Sequence, residues 1–252
     1  MRWRGPGIAK SYRSDRLPAP YQRTARVALN AVHRALDTWA AAVAEGKGAA
    51  TQLSNVLLTA VHLPALPLGV LADVPGLLPA SNSRLQERQW QQLAVLACCT
   101  ERLAQAVADL QKAATRVAEL AEAEAVAPVL GPTPVFAGLP LDSMSHMLLE
   151  LQSMHAAELE VKQQVMAGFR QLVERQASAD GDGDDSKLRP HGSASVAGGG
   201  GRERQRISSA DHETLVRRRC NVYLCAWLLS PEVDDDTVAA HLAALGDDML
   251  GF

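Results

Sequence analysis

Aromatic residues are scarce in this 252-residue chain, at 4% of positions against an apolar fraction of 47%, so Leu, Ala and Val must do the packing. The β-branched and aromatic residues that favour strands are thin, whereas alanine and leucine favour helix. That balance predicts an all-α protein. Charge of one sign is also missing: the formal net charge is −3 with 21% charged residues, which leaves no global basic field for nucleic acid. No apolar run approaches the roughly 18 residues of a membrane span, so the chain reads as soluble. Cysteine is sparse and irregular. Cys98 and Cys99 are adjacent and Cys220 and Cys225 are five apart, which is no disulfide framework and fits a reducing compartment.

Recognisable chemistry is lacking too. There is no Gly-rich phosphate loop after a strand, no nucleophile elbow and no His-Glu-x-x-His helix. The seven histidines have no metal-ligand spacing, and His155 lies on an apolar stripe, where a packed histidine is the expected reading. The run Asp180-Gly-Asp182-Gly-Asp184-Asp185 fails as a calcium loop, because Asp185 stands where glycine is required and His191 where glutamate is. The expectation is a non-enzymatic chain without cofactor or metal.

What is present is helical periodicity. Val32, Leu36, Trp39 and Val43 form one stripe, and Leu53, Val56, Leu57 and Val61 resume it after Gly46-Lys47-Gly48, a point that weakens the helix and leaves open whether residues 21–61 form one helix or two. Prolines and glycines across residues 64–79 predict an apolar loop packed against the bundle. From about Ser83 to Ala127, with Ser81 or Ser83 as cap, a heptad seam runs through Leu96, Cys99, Leu103, Ala106, Leu110, Ala113, Val117 and Leu120. About forty residues make a rod of roughly 60 Å that must lie against other helices.

Prolines across residues 128–140 predict an extended connector. A third helix follows to about Gln176, capped by Asp142 or Ser143, with Leu148, Leu151, His155, Leu159, Lys162, Val165 or Met166, Phe169 and Val173 on its inner face. Glu158 and Lys162 read as an i,i+4 pair worth a few tenths of a kcal/mol. Residues 177–208, with four consecutive glycines at 198–201, read as a disordered linker. Residues 209–252 then form a C-terminal helical segment. Its first helix runs from about Glu213 to Leu229, with Leu215, Val222, Cys225 or Ala226 and Leu229 as the expected buried face. Its second runs from Asp234–Asp236 to about Leu245, with acids where a helix N-terminus favours them.

The expected architecture is therefore an elongated antiparallel helical bundle or coiled coil over residues 21–176, with a small C-terminal helical segment. Residues 1–20 form a flexible basic arm. The alternative for that Arg-rich, acid-poor start is a cleaved organellar transit peptide, against which Pro6, Pro18 and Pro20 weigh by interrupting an amphipathic helix. Trp39, Leu103, Leu110, Phe169, Tyr223 and Trp227 are the candidate partner-binding residues, with core packing as the plain alternative for each. Ser208 and Ser209, after Arg204 and Arg206 and beside a helix start, are candidate phosphorylation sites.

Two passages resemble a known family. Tyr223-Leu-Cys-Ala-Trp227-Leu-Leu-Ser-Pro231-Glu-Val-Asp-Asp-Asp, followed by a short Leu-rich helix, is similar to the end of the cyclin-dependent kinase 2-interacting protein family. Phe136, Pro140 and SHMLLELQSMHAAELEVKQQVMAGF, from Ser145 to Phe169, resemble that family's connector and third helix. Asn30 to Gly46, with Trp39, is a weaker match, and the seam helix is similar only in periodicity. The longer linker, the 64–79 insert and the alanine richness depart from the pattern. The resemblance implies an adaptor in the nucleus, with a cytoplasmic pool also open, tied to DNA replication, cell cycle and DNA damage checkpoint signalling. Its implied partners are cyclin-dependent kinase 2, a Cdc7-type replication kinase and the ATR-interacting protein. It also implies a place in an AAA ATPase complex acting in pre-60S ribosome biogenesis, beside a second small helical adaptor. Neither membrane nor direct nucleic-acid contact is expected.

Overall fold

Alanine–leucine helices with few breakers should run long, and they do. The computed structural model describes residues 19–126, 134–181 and 209–249, and every regular element among them is helical. These are α1 (Ala19–His62), α2 (Leu77–Val126), α3 (Leu141–Gly181), α4 (Ser209–Leu229) and α5 (Asp235–Met249). The protein is all-α. The basic arm up to residue 18, residues 127–133, and residues 182–208 with candidate Ser208 lie outside the described residues.

Helix ends differ from expectation for identifiable reasons. Gly46-Lys47-Gly48 does not interrupt α1, a single helix of 44 residues. Pro79 does not delay α2, because it sits in the first turn, where the missing N–H has no intrahelical partner to lose. Gly76, at φ 78°, precedes the helix and its carbonyl accepts the Ala80 N–H at 3.0 Å. Ser83, expected as a cap, instead donates its hydroxyl to the Pro79 carbonyl at 3.0 Å. α3 likewise begins at Leu141, with the Pro140 carbonyl accepting the Met144 N–H, so Asp142 lies in the first turn rather than at the cap. Asp234 does cap α5: its carboxylate accepts the Asp236 N–H at 3.2 Å and the Thr237 hydroxyl at 2.5 Å.

The long helices each contribute to two compact units. The first gathers residues up to 36, 107–155 and from 233 onward. Its core joins Ala25, Leu29 and Val32 of α1, Leu110, Ala113 and Val117 of α2, and Met144, Leu148 and Leu151 of α3. Val135 and Phe136 of the connecting turn and Leu245 of α5 complete it. The seam alanines let backbones approach closely, and the few large side chains, such as Phe136, fill the remaining space.

The second unit comprises residues 37–106 and 156–232. Arg102 pairs with Glu45, and Gln176 bridges Gln89 (2.8 Å) and the Leu57 carbonyl (3.2 Å). As α1 advances from 45 to 57, its α2 neighbour recedes from 102 to 89, so the two helices run antiparallel within this unit. Leu53, Leu57, Leu96, Cys99, Leu103, Phe169, Val173, Val216, Cys220 and Trp227 are buried in it.

The connector between α1 and α2 overturns one expectation. It forms two short 3-10 turns, Leu63–Ala65 and Gly69–Asp73. It is not packed away: Val70 is 89% exposed, and Leu66, Leu71 and Val74 are exposed as well, as is Leu78 in the first turn of α2.

Candidate functional site

The second unit's most elaborate chemistry lies where α4 meets α1 and α3. Mid-helix glycine ordinarily costs about 1 kcal/mol relative to alanine, so two of them in long helices need a reason. A Cβ on Gly46 would overlap the indole of Trp227, and one on Gly168 would overlap the phenol of Tyr223. The two glycines are seats for the aromatic rings of α4. Trp227 donates its indole N–H to the Val43 carbonyl at 3.3 Å, and Tyr223 meets Phe169 edge-on with centroids 5.2 Å apart.

This docking fixes which way α4 faces. Val216, Cys220 and Trp227 are buried and Tyr223 is half-buried. Val222, Cys225 and Leu229, expected inside, are exposed, and Leu215 and Ala226 are half-buried. The expected face was therefore displaced. α4 carries apolar side chains on two faces, and ring-into-glycine packing outweighs the aliphatic stripe.

Beneath Trp227 lies an ion pair. Lys162 and Glu158 have fully buried side chains, 2.6 Å apart. The Lys162 ammonium donates to the carbonyls of Ala226 (3.1 Å) and Trp227 (2.7 Å) and to the Ser230 hydroxyl oxygen (3.1 Å), and it stands 5.3 Å from the Trp227 ring centroid. A cation is thus fixed on the last turn of α4, where carbonyls lack intrahelical partners and the helix dipole is negative. Glu158 also accepts the Glu232 N–H at 2.9 Å. Ser230 holds the left-handed conformation (φ 44°) usual for a residue just past a helix end. The i,i+4 pair read from spacing as worth a few tenths of a kcal/mol is a fully buried clamp. Burial pushes the Lys162 ammonium below its ordinary 10.5, while the adjacent Glu158 carboxylate opposes that shift.

The first unit has a polar node of a different kind. Asp248 of α5, buried, directs Oδ1 at three successive backbone N–H groups, of Ala137 (3.1 Å), Gly138 (2.5 Å) and Leu139 (2.9 Å). The turn is closed by the Val135 N–H donating to the Leu139 carbonyl at 2.8 Å, and Gln22 donates to the Val135 carbonyl at 2.9 Å. Successive N–H groups converging on one oxygen form an anion nest. His155 is buried, with Nδ1 2.7 Å from the Leu151 carbonyl.

Of the candidate partner residues, Trp39, Leu103, Leu110, Phe169 and Trp227 are buried within the chain and Tyr223 is half-buried. Leu110 belongs to the first unit and the other five to the second, where Phe169, Tyr223 and Trp227 converge on α4. Ser209 is the first residue of α4. Exposed apolar side chains lie elsewhere, among them those of the 63–76 connector, Leu78 and the outer face of α4. Sequence reasoning missed Gly46, Gly168, Ser230 and Asp248. For the glycines a signal existed, since glycine persisting inside a strong helical pattern marks a close approach. Among the described residues no group of three or more His, Cys, Asp or Glu could hold a metal ion, and no helix is long and apolar enough to cross a membrane. Comparison with protein families, curated proteins and solved structures gives no match to this chain.

Proposed function

We propose that the chain is a non-enzymatic helical adaptor of the kind represented by the cyclin-dependent kinase 2-interacting protein family. The observation that carries the adaptor reading is the exposed connector and the helix start after it: Leu66, Val70, Leu71, Val74 and Leu78 are large aliphatics in solvent along one short segment. Concentrated apolar exposure of this kind marks interaction surfaces rather than ordinary monomer surface. The family reading is supported by the meeting of the two passages that resemble it, through Phe169 on Tyr223 and Lys162 under Trp227. An arrangement in which distant motif residues serve one another is what a shared architecture would require.

On this reading the protein acts in the nucleus, joining an AAA ATPase and a second small helical adaptor in pre-60S ribosome biogenesis, or serving the replication and checkpoint kinases. The test is affinity purification of the full chain from native cells with mass spectrometry, beside a variant carrying Leu66→Ser, Val70→Ser, Leu71→Ser and Val74→Ser. The expected result is recovery of the ATPase or a kinase with the native chain and its depletion with the variant, at unchanged helix content and melting temperature. Recovery of neither by the native chain, or equal recovery by the variant, contradicts the proposal.

A further inference from the structure

The outer face of α4 carries an apolar stripe that is exposed among the described residues. Val222 is 57% exposed and Leu229 75%, with Cys225 between them and Leu228 beside them, also exposed. The steps 222, 225, 229 are those of a helix–helix seam. Arg218, four residues before Val222, is exposed and Arg219 is half-buried, while Glu232 lies exposed just beyond the other end. The stripe is therefore basic at its start and apolar in its middle, with the acidic Glu232 after its end.

We propose that this face pairs with the same face of a second copy, two α4 helices lying antiparallel about a two-fold axis near Cys225. An isologous contact requires each residue to meet a complementary one in both directions. An antiparallel pairing centred there sets Val222 against Leu229 of the other copy, Cys225 near its own equivalent, and Arg218 and Arg219 toward the opposing Glu232. A parallel pairing would instead juxtapose arginines with arginines and acids with acids. One helix face about 30 Å long and roughly 10 Å wide is smaller than the ~800 Å² per partner of a standard interface, so the dimer is reversible and weak. It goes beyond the adaptor reading and does not depend on it.

The experiment is sedimentation of the full chain over a range of concentrations, joined to oxidative crosslinking in a Cys98→Ser background, where Cys225 is the accessible thiol among the described residues. Diamide would take two electrons and two protons from the paired thiols, forming one disulfide and the reduced hydrazine. Concentration-dependent dimerisation, a Cys225-dependent covalent dimer, and loss of both with Leu229→Glu are expected. Arg218→Glu or Glu232→Arg alone should weaken dimerisation at least about tenfold, and the two together restore it. A chain monomeric throughout, or a dimer indifferent to Leu229→Glu and to the charge exchange, overturns the proposal; the first result would leave the stripe to a helix of another protein. Co-purification measured with Leu229→Glu separates the readings: partners retained without dimerisation leave the adaptor standing, and dimers without partners do the reverse.

Discussion

α4 is held in the second unit by shape: two rings seated on two glycines, with a buried ammonium drawn onto its last carbonyls. α5 is held in the first unit by Leu245 in its apolar core and by one carboxylate in a nest of backbone N–H groups. The first attachment tolerates almost no change in volume at its two glycines. The second depends on a charged acceptor as well as on a buried leucine. The contrast follows from composition. A chain with so few aromatics can spend them at only a few places, and α4 receives two.

The largest effect should come from splitting the buried pair. Lys162→Ala leaves Glu158 charged and unpaired, and should cost about 3–5 kcal/mol in chemical denaturation. Lys162→Met combined with Glu158→Leu should recover most of that loss, because a buried pair is often replaceable by apolar side chains of similar size. Gly46→Ala and Gly168→Ala come next, at about 1–3 kcal/mol each, with hydrogen exchange accelerating in α4. If either alanine were neutral, the shape-based account of α4 would fail.

In the first unit, Asp248→Ala should cost about 1–3 kcal/mol by orphaning three donors, and exchange at Ala137–Leu139 should rise. The smallest effect concerns the α5 cap. The Thr237 hydroxyl, followed by backbone N–H groups, holds the Asp234 carboxyl below its ordinary 3.8. The folded state therefore favours the ionised form, so the cap's contribution is complete above the ordinary carboxylate range and is lost as pH falls through the lowered value. Fraying of the first turn of α5 on acidification, followed by NMR, should be smaller in Asp234→Ala, where that turn is already frayed at neutral pH.

Much of the fold was legible. Leu96, Cys99, Leu103, Ala106, Leu110, Ala113 and Val117 are all buried as the heptad seam required, because a long helix with a single apolar stripe has only one way to face inward. Lys162 already fell on the inner stripe of α3, which was a sign that its pairing with Glu158 was not superficial. The face of α4 was not legible, since periodicity cannot rank two apolar faces of one helix; Gly46 and Gly168, more than a hundred residues apart, decide it. Nor did composition reveal that the 63–76 connector stays exposed, because apolar content says what could be buried and not whether anything covers it.

Thiol labelling of the native full chain tests the central claim, the orientation of α4, most directly. Cys220 is buried against the helices, and burial, partly offset by the Ser54 hydroxyl, pushes its thiol up to about 11 from 9.0, whereas Cys225 is exposed five residues later. At neutral pH maleimide should modify Cys225 promptly and reach Cys220 only after denaturation. Labelling of Cys220 as fast as Cys225, with the fold intact, would mean that α4 faces the other way.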